Sequence, residues 1–306
     1  MKKTKLPIEI GIPKSPSQLL QLIFFILLAF VIATFATFWR LTHPTTIDSG
    51  LVPTDINREY EEITLTTIEG IDLHGWYLPP VVEENEPVAE MSETKALVFL
   101  HGYPAEKSNL LPFATEFEDY GIVLFDFRSF GKSQGSRTTF GAREILDLEV
   151  AIDYLADKGY ERIGVFGFSM GGGVALRAAA LDTRIQAVAT YAAPANIVEL
   201  AEHHYRFLGP FKKPFVQTVL FWAQTIYGVE AWELIPEYAV PGIRVPVLLT
   251  HSHNDTLIPI SQGERLQAVF AEYPSQVETL WYAQGSHQVI PLDLSVDLFN
   301  FFEESL

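Results

Sequence analysis

The chain has 306 residues, 48% of them apolar, enough for one sizeable domain with a large core. Lysine and arginine number 21 against 38 acidic residues, a net charge of −17 that excludes the basic face a phosphate backbone requires, and with it nucleic-acid binding. The absence of cysteine excludes disulfides, a thiolate nucleophile and a thiolate-held metal.

Residues 1–18 carry Lys2, Lys3, Lys5 and Lys14. Residues 19–39, Leu19 to Trp39, hold no charge, and their polar members are Gln21, Thr34 and Thr37. About 20 apolar residues cross the ~30 Å hydrocarbon core of a bilayer. Arg40 is the one close basic residue on the far side, with Arg58 further on, so the charge bias predicts a cytoplasmic N-terminus and the rest of the chain outside. A cleaved signal peptide, with Val31-Ile32-Ala33 as its cleavage site, has an apolar region of only ~7–15 residues. A core helix would show a polar face. The segment therefore reads as an uncleaved single-pass anchor, and residues 40–58, with Pro44 and Pro53, as a linker.

Residues 59–306 read as one α/β domain. Residues 62–67 and 71–78 alternate apolar and polar around Glu69-Gly70 and predict a hairpin. Residues 81–94, rich in glutamate, read as an acidic loop. Strands are expected over 96–100, 122–127, 162–166, 185–191, 245–250 and 277–282. Helices are expected over 109–120, 142–158, 170–181 and 292–303, and another opens on a capping box at Ser261-Gln262-Gly263-Glu264. Repeated βα units imply a mostly parallel, doubly wound sheet. Residues 197–235 interrupt that rhythm. They are rich in aromatics, among them Tyr205, Phe207, Phe211, Phe215, Trp222 and Tyr227, and read as a helical cap lining an apolar pocket, with a segment dipping towards the membrane beside the anchor as the alternative.

Gly167-Phe168-Ser169-Met170-Gly171 lies between a strand and a helix, the setting of a nucleophile elbow. A serine hydroxyl needs a base, and the base an anionic partner to fix its tautomer. Such groups sit on loops at the carboxyl ends of strands. Past 245–250 that loop carries Asp255, and past 277–282 it carries His287. The order Ser169, Asp255, His287 is that of the elbow-type hydrolases. A metal on His251, His253 and Asp255, and Glu199 as a substitute acid, are weaker alternatives.

His101-Gly102-Tyr103, the Asp126 to Ser133 stretch, the elbow, the His251 to Pro259 loop and Gly285-Ser286-His287 follow one another in a pattern that resembles the α/β-hydrolase superfamily. Within it, the chain is most similar to membrane-anchored serine hydrolases related to S33-type peptidases and esterases. The resemblance covers about residues 60–306 and implies the α/β-hydrolase fold with Ser169, Asp255 and His287 catalytic. It implies an oxyanion hole made by the backbone N–H groups of Tyr103 and Met170, and no cofactor. The acid loop departs from the family's His-Gly-x-x-Asp, having Ser252 at the glycine. His101 is expected to brace the oxyanion loop, and Asp126 and Arg128 to pair. The functional expectation is a serine hydrolase cleaving a carboxylic ester, thioester or amide of a small or lipid-like acyl substrate. An S33-like peptidase and a non-catalytic, membrane-bound binding protein are the rivals.

Overall fold

The centre of the computed structural model is a sheet of eight strands, and it describes residues 15–81, 94–273 and 277–306. The N-terminal lysines and nearly all of the acidic loop lie outside the described residues. β1 (Glu61–Thr66) alternates exposed and buried positions and pairs antiparallel with β2 (Asp72–Leu78), which lies antiparallel to β4 (Gly121–Phe125). β4 runs parallel to β3 (Lys95–Leu100), and β5 (Arg162–Phe168), β6 (Ile185–Tyr191), β7 (Val247–Ser252) and β8 (Val277–Tyr282) continue in parallel. The spatial order is β1-β2-β4-β3-β5-β6-β7-β8.

Runs such as Ala96-Leu97-Val98-Phe99-Leu100 show no polar alternation because both faces of the sheet are covered. α2 (Glu144–Asp157), α3 (Met170–Ala179) and α6 (Ser261–Phe270) close one face, around Val98, Phe125, Leu148, Val165 and Leu249. α7 (Leu294–Ser305) and a 3-10 turn at Lys107–Glu116 close the other, around Phe99, Phe117, Phe166 and Phe302.

Three local expectations differ from the structure. The stretch read as a helix over 109–120 is the 3-10 turn, where Pro112 has no N–H to donate to an α-helical ladder. Ser261 is the first residue of α6 and not its cap, one position too late for its hydroxyl to serve. The buried Gln262 side chain instead accepts from the backbone N–H groups of Ala195 and Asn196, at 3.1 and 3.0 Å. Asp126 and Arg128 do not pair with each other. The sheet ends at Phe125, so positions two apart no longer share a face. Asp126 receives Lys107 Nζ at 2.8 Å, and Arg128 forks onto Asp147 at 2.6 and 2.9 Å and reaches Glu69 at 2.6 Å.

α1 (Pro16–Thr42), with a mean hydropathy of 2.7, is long and apolar enough to cross a membrane. It continues three residues beyond Trp39. Its first part stands exposed, while its second part packs on the cap, which comprises α4 (Ile197–His204), a 3-10 turn at Arg206–Phe211 and α5 (Lys212–Tyr227). The ring pairs Phe30–Phe215, Phe35–Trp222 and Phe38–Tyr227 lie 6.0, 5.4 and 5.0 Å apart, and Trp222 Nε1 donates to Thr34 Oγ1 at 3.3 Å. The segment read as a linker is docked. Ile47 N–H donates to Pro104 O at 2.8 Å, and the guanidinium of the buried Arg58 donates to the carbonyls of Phe117 at 3.0 Å and Pro79 at 2.8 Å. Its prolines predict a tether, but a buried cation donating to backbone carbonyls fixes it to the domain.

Lys107, 1% exposed, also lies 4.5 Å over the Trp76 ring, so its removal leaves Asp126 as an unpaired buried charge. Lys107→Met is expected to cost about 3–5 kcal/mol of stability, measured by urea unfolding of the detergent-solubilised protein.

Candidate active site

β5 runs into α3 through a turn so tight that Ser169 adopts φ 54° and ψ −115°, a conformation a non-glycine residue holds only when its surroundings enforce it. The flanking glycines are required by space. A Cβ on Gly167 would lie 2.4 Å from Gly171 O, and one on Gly171 would lie 2.3 Å from Leu100 O. Ser169 N–H is tied to Tyr191 O at 2.8 Å, and Ser169 O accepts from the N–H groups of Gly172 and Gly173. The hydroxyl is thus fixed at the carboxyl edge of the sheet, at the first turn of α3.

Asp255 follows β7. Its Oδ1 accepts from the N–H groups of Leu257 and Ile258 at 2.9 and 2.8 Å, and its Oδ2 receives His287 Nδ1 at 2.7 Å. Burial pushes the carboxyl up, but the hydrogen bond and charge of His287 and the Ile258 N–H outweigh it, and Asp255 is held below the usual carboxylate range. Against that carboxylate Nδ1 of His287 is the donor, and Nε2 is the ring nitrogen turned away from Asp255. That nitrogen is buried without a partner among the described residues. The His287 ring lies 5.0 Å from Phe168, the residue before the serine. The structure joins Asp255 to His287 directly and Ser169 to the pair through this neighbour. Ser169 Oγ and His287 Nε2 form no hydrogen bond with one another, and such contacts commonly tighten only with substrate bound.

The loop after β3 approaches the serine closely. A Cβ on Gly102 would stand 2.8 Å from Phe168 Cδ1 and 3.0 Å from Ser169 Cβ. His101, fully buried and kept neutral by that burial, accepts from Phe127 N–H through Nε2 at 3.0 Å and donates from Nδ1 to Gly102 O at 2.9 Å. It holds the loop and stands away from the reacting face. Neither Tyr103 N–H nor Met170 N–H donates a hydrogen bond among the described residues, and both residues line the cavity that Ser169 faces. Two backbone donors and a helix N-terminus beside a hydroxyl suit the stabilisation of a developing oxyanion.

The other sequence candidates lie elsewhere in function. His251 Nε2 donates to Ile258 O at 2.8 Å, shaping the acid loop, and burial lowers its pKa. His253 is exposed. Glu199 is exposed at the start of α4 and pairs with Arg265. Among the described residues no three His, Cys, Asp or Glu side chains gather in a metal-holding group.

The pattern of the family described as alpha/beta hydrolase fold matches residues 95–210. An esterase of Pyrococcus furiosus superposes with a TM-score of 0.68 at 23% identity, covering 87% of this chain and 98% of its own. The protein has the α/β-hydrolase fold. YqkD, an uncharacterised protein of Bacillus subtilis, is 27% identical over 225 residues, 69% of this chain and 70% of the relative. The thiohydrolase aneE of Aspergillus aculeatus is 33% identical over 140 residues, 43% of this chain and 41% of its own.

Within this fold, the departure at Ser252 has a structural use that sequence reasoning did not find. Its hydroxyl reaches the carbonyls of Gln284 at 3.1 Å and Gly285 at 2.9 Å, tying the acid loop to the histidine loop, and Tyr191 OH donates to Ser286 O at 2.9 Å beside it. A serine at an expected glycine was the available signal. The cavity over Ser169 measures about 350 Å³ and is almost wholly apolar, with Tyr103, Ile197, Val216, Leu220 and Leu257 among its walls. Phe38, Leu41 and Thr42 of α1 line it too, which no local pattern announced. Ser252→Ala is expected to lose about 1 kcal/mol of stability, the net worth of one buried hydrogen bond, as a shifted urea midpoint with unchanged slope.

Proposed function

We propose that the protein is a membrane-tethered serine hydrolase acting on carboxylic esters. The observation that carries this reading is the Asp255–His287 pair, 2.7 Å apart, with the histidine ring 5.0 Å from Phe168, the residue before a serine on a strained strand-to-helix turn. Ser169 Oγ attacks the ester carbonyl as its proton passes to His287 Nε2. The carbonyl oxygen becomes an oxyanion received by the N–H groups of Tyr103 and Met170. The C–O bond to the leaving group then breaks, and His287 returns the proton to the departing alkoxide, releasing an alcohol. Water repeats the sequence on the acyl-enzyme. It gives its proton to His287 and frees the carboxylic acid and Ser169. Asp255 stays ionised throughout and holds the imidazole in the tautomer that leaves Nε2 free.

Similarity to a protein called an esterase and to another called a thiohydrolase supports acyl transfer. Esters fit best, since an alkoxide leaves with less help than an amine. α1 supports the tether. It continues through Ala33 with Thr34 buried on the cap, so cleavage after Ala33 would divide a packed helix. The lysines before α1 support a cytoplasmic N-terminus with the α/β domain outside.

A fluorophosphonate probe is expected to label the wild-type protein and not Ser169→Ala. Equal labelling of both sinks the nucleophile assignment, and no labelling of either favours a binding protein. Asp255→Asn is expected to lower kcat by about 10⁴, the cost of the wrong histidine tautomer, on para-nitrophenyl esters. Faster turnover of aminoacyl amides than of those esters would move the reading to a peptidase. In spheroplasts, added protease is expected to degrade the α/β domain; its protection would reverse the topology.

A further inference from the structure

The membrane helix and the catalytic cavity are one construction. Phe38, Leu41 and Thr42 of α1 line the cavity together with Ser169 and with Val216 and Leu220 of α5, the helix against which α1 packs. The seam between α1 and α5 is therefore a side of the substrate pocket, and α1 is more than a leash.

The length of α1 places the cap relative to a bilayer. From Pro16 to Ala29 every residue is exposed; contact with the cap begins at Phe30, which meets Phe215 near the start of α5. That free part, about 14 residues at 1.5 Å each, is roughly 21 Å long. A hydrocarbon core is ~30 Å thick. The missing ~9 Å must come from the part of α1 that is packed against the cap, so the start of α5 and the turn before it reach the leaflet. Interfacial segments bury themselves by a comparable ~5–10 Å.

The chemistry of that turn fits the location. Arg206-Phe207-Leu208-Gly209-Pro210-Phe211-Lys212-Lys213 leaves Phe207 76% and Phe211 67% exposed, beside the exposed cations Arg206 and Lys213. Tyr205, whose ring is 4.9 Å from Phe215, connects the turn to the level of Phe30. Two bare phenylalanines flanked by cations, on a chain of net charge −17, form an aromatic and basic tip suited to acyl chains and lipid headgroup phosphates.

We propose that the cap tip is embedded in the leaflet that α1 enters, and that the cavity draws its substrate from that leaflet. The substrate class is a membrane-resident amphiphile whose acyl ester slides between α1 and α5 to Ser169. This rests on the hydrolase and anchor readings above and adds the source of the substrate. Hydrolysis follows the steps already given, with water from the aqueous side, releasing a fatty acid and an alcohol.

The full chain lacks cysteine, so one introduced thiol carries one environment-sensitive dye. The chain is reconstituted in phosphatidylcholine and phosphatidylglycerol vesicles and labelled at Phe207→Cys, Phe211→Cys, Leu22→Cys or Leu181→Cys. Leu181, 73% exposed just beyond the far end of α3, is the aqueous reference. Dyes at 207, 211 and 22 are expected to be quenched by brominated lipid and shielded from iodide, and the dye at 181 the reverse. Quenching at 22 with iodide access at 207 and 211 overturns the embedded tip alone. Shielding of 207 and 211 from both quenchers points to a protein contact and also overturns it. Iodide access at 22 removes the anchor and the proposal together.

A second arm compares para-nitrophenyl acetate in solution with para-nitrophenyl palmitate in the vesicles. Phe207→Ser/Phe211→Ser is expected to keep the acetate rate and to lose about tenfold or more on palmitate. An equal rate on palmitate overturns the leaflet source. If the wild type cleaves neither ester, the hydrolase reading fails and the leaflet source of substrate fails with it, while the dyes still decide where the tip lies.

Discussion

The close approach of α3 to the ends of β3 and β5 governs the rest of the molecule. Gly171 lies so near Leu100 O, and Gly167 so near Gly171 O, that no side chain fits at either position. This crowding forces Ser169 into its strained conformation and sets its hydroxyl above the sheet. The same contact brings Gly102 against Ser169, and Tyr103 and Met170, whose N–H groups have no partner among the described residues, line the cavity with that serine. The cost of the strained turn is carried by the buried strands β3, β5 and β6, whose ladders hold it from both sides.

Charge is distributed by a similar logic. Several cations of this acidic chain work inside it. Lys107 neutralises Asp126, Arg128 neutralises Asp147, and Arg58 closes backbone carbonyls. Each secures a loop that the sheet itself does not reach. In this acidic chain the exposed Arg206 and Lys213 of the cap tip stand out, and they lie where α1 would bring them to a membrane. Buried ion pairs and the tip cations thus play opposite parts, one internal to the fold and one directed outward.

Much of this was legible in the sequence, for a physical reason. Strand and helix identity follows from periodicity in short windows, and a parallel sheet leaves unbroken apolar runs such as residues 96–100. The elbow declares itself because only glycine fits beside it. Asp255 and His287 could be placed because polar groups in such a sheet collect past the carboxyl ends of strands, a rule of topology that needs no coordinates. The partners of Asp126 and Arg128 were not legible. Past Phe125 the chain leaves the sheet, and the choice of Lys107 and Asp147 depends on loops that meet only after folding. The 3-10 turn at Lys107–Glu116 escaped for a related reason, its helical spacing masking the missing N–H of Pro112.

The sequence by itself determined the order of strands and helices, the tight turn at Ser169, the long apolar helix and the residues available for acid–base chemistry, because each depends on neighbours in the chain. The tertiary structure alone decided what those pieces share. It joined Asp255 to His287, used Ser252 to lock their loops together, docked residues 40–58 onto the domain and laid α1 along α5 so that a helix fit for a membrane became a wall of the cavity over Ser169. Contacts between residues nearly two hundred positions apart, such as Phe38 and Tyr227, leave no local pattern, and only packing decides them.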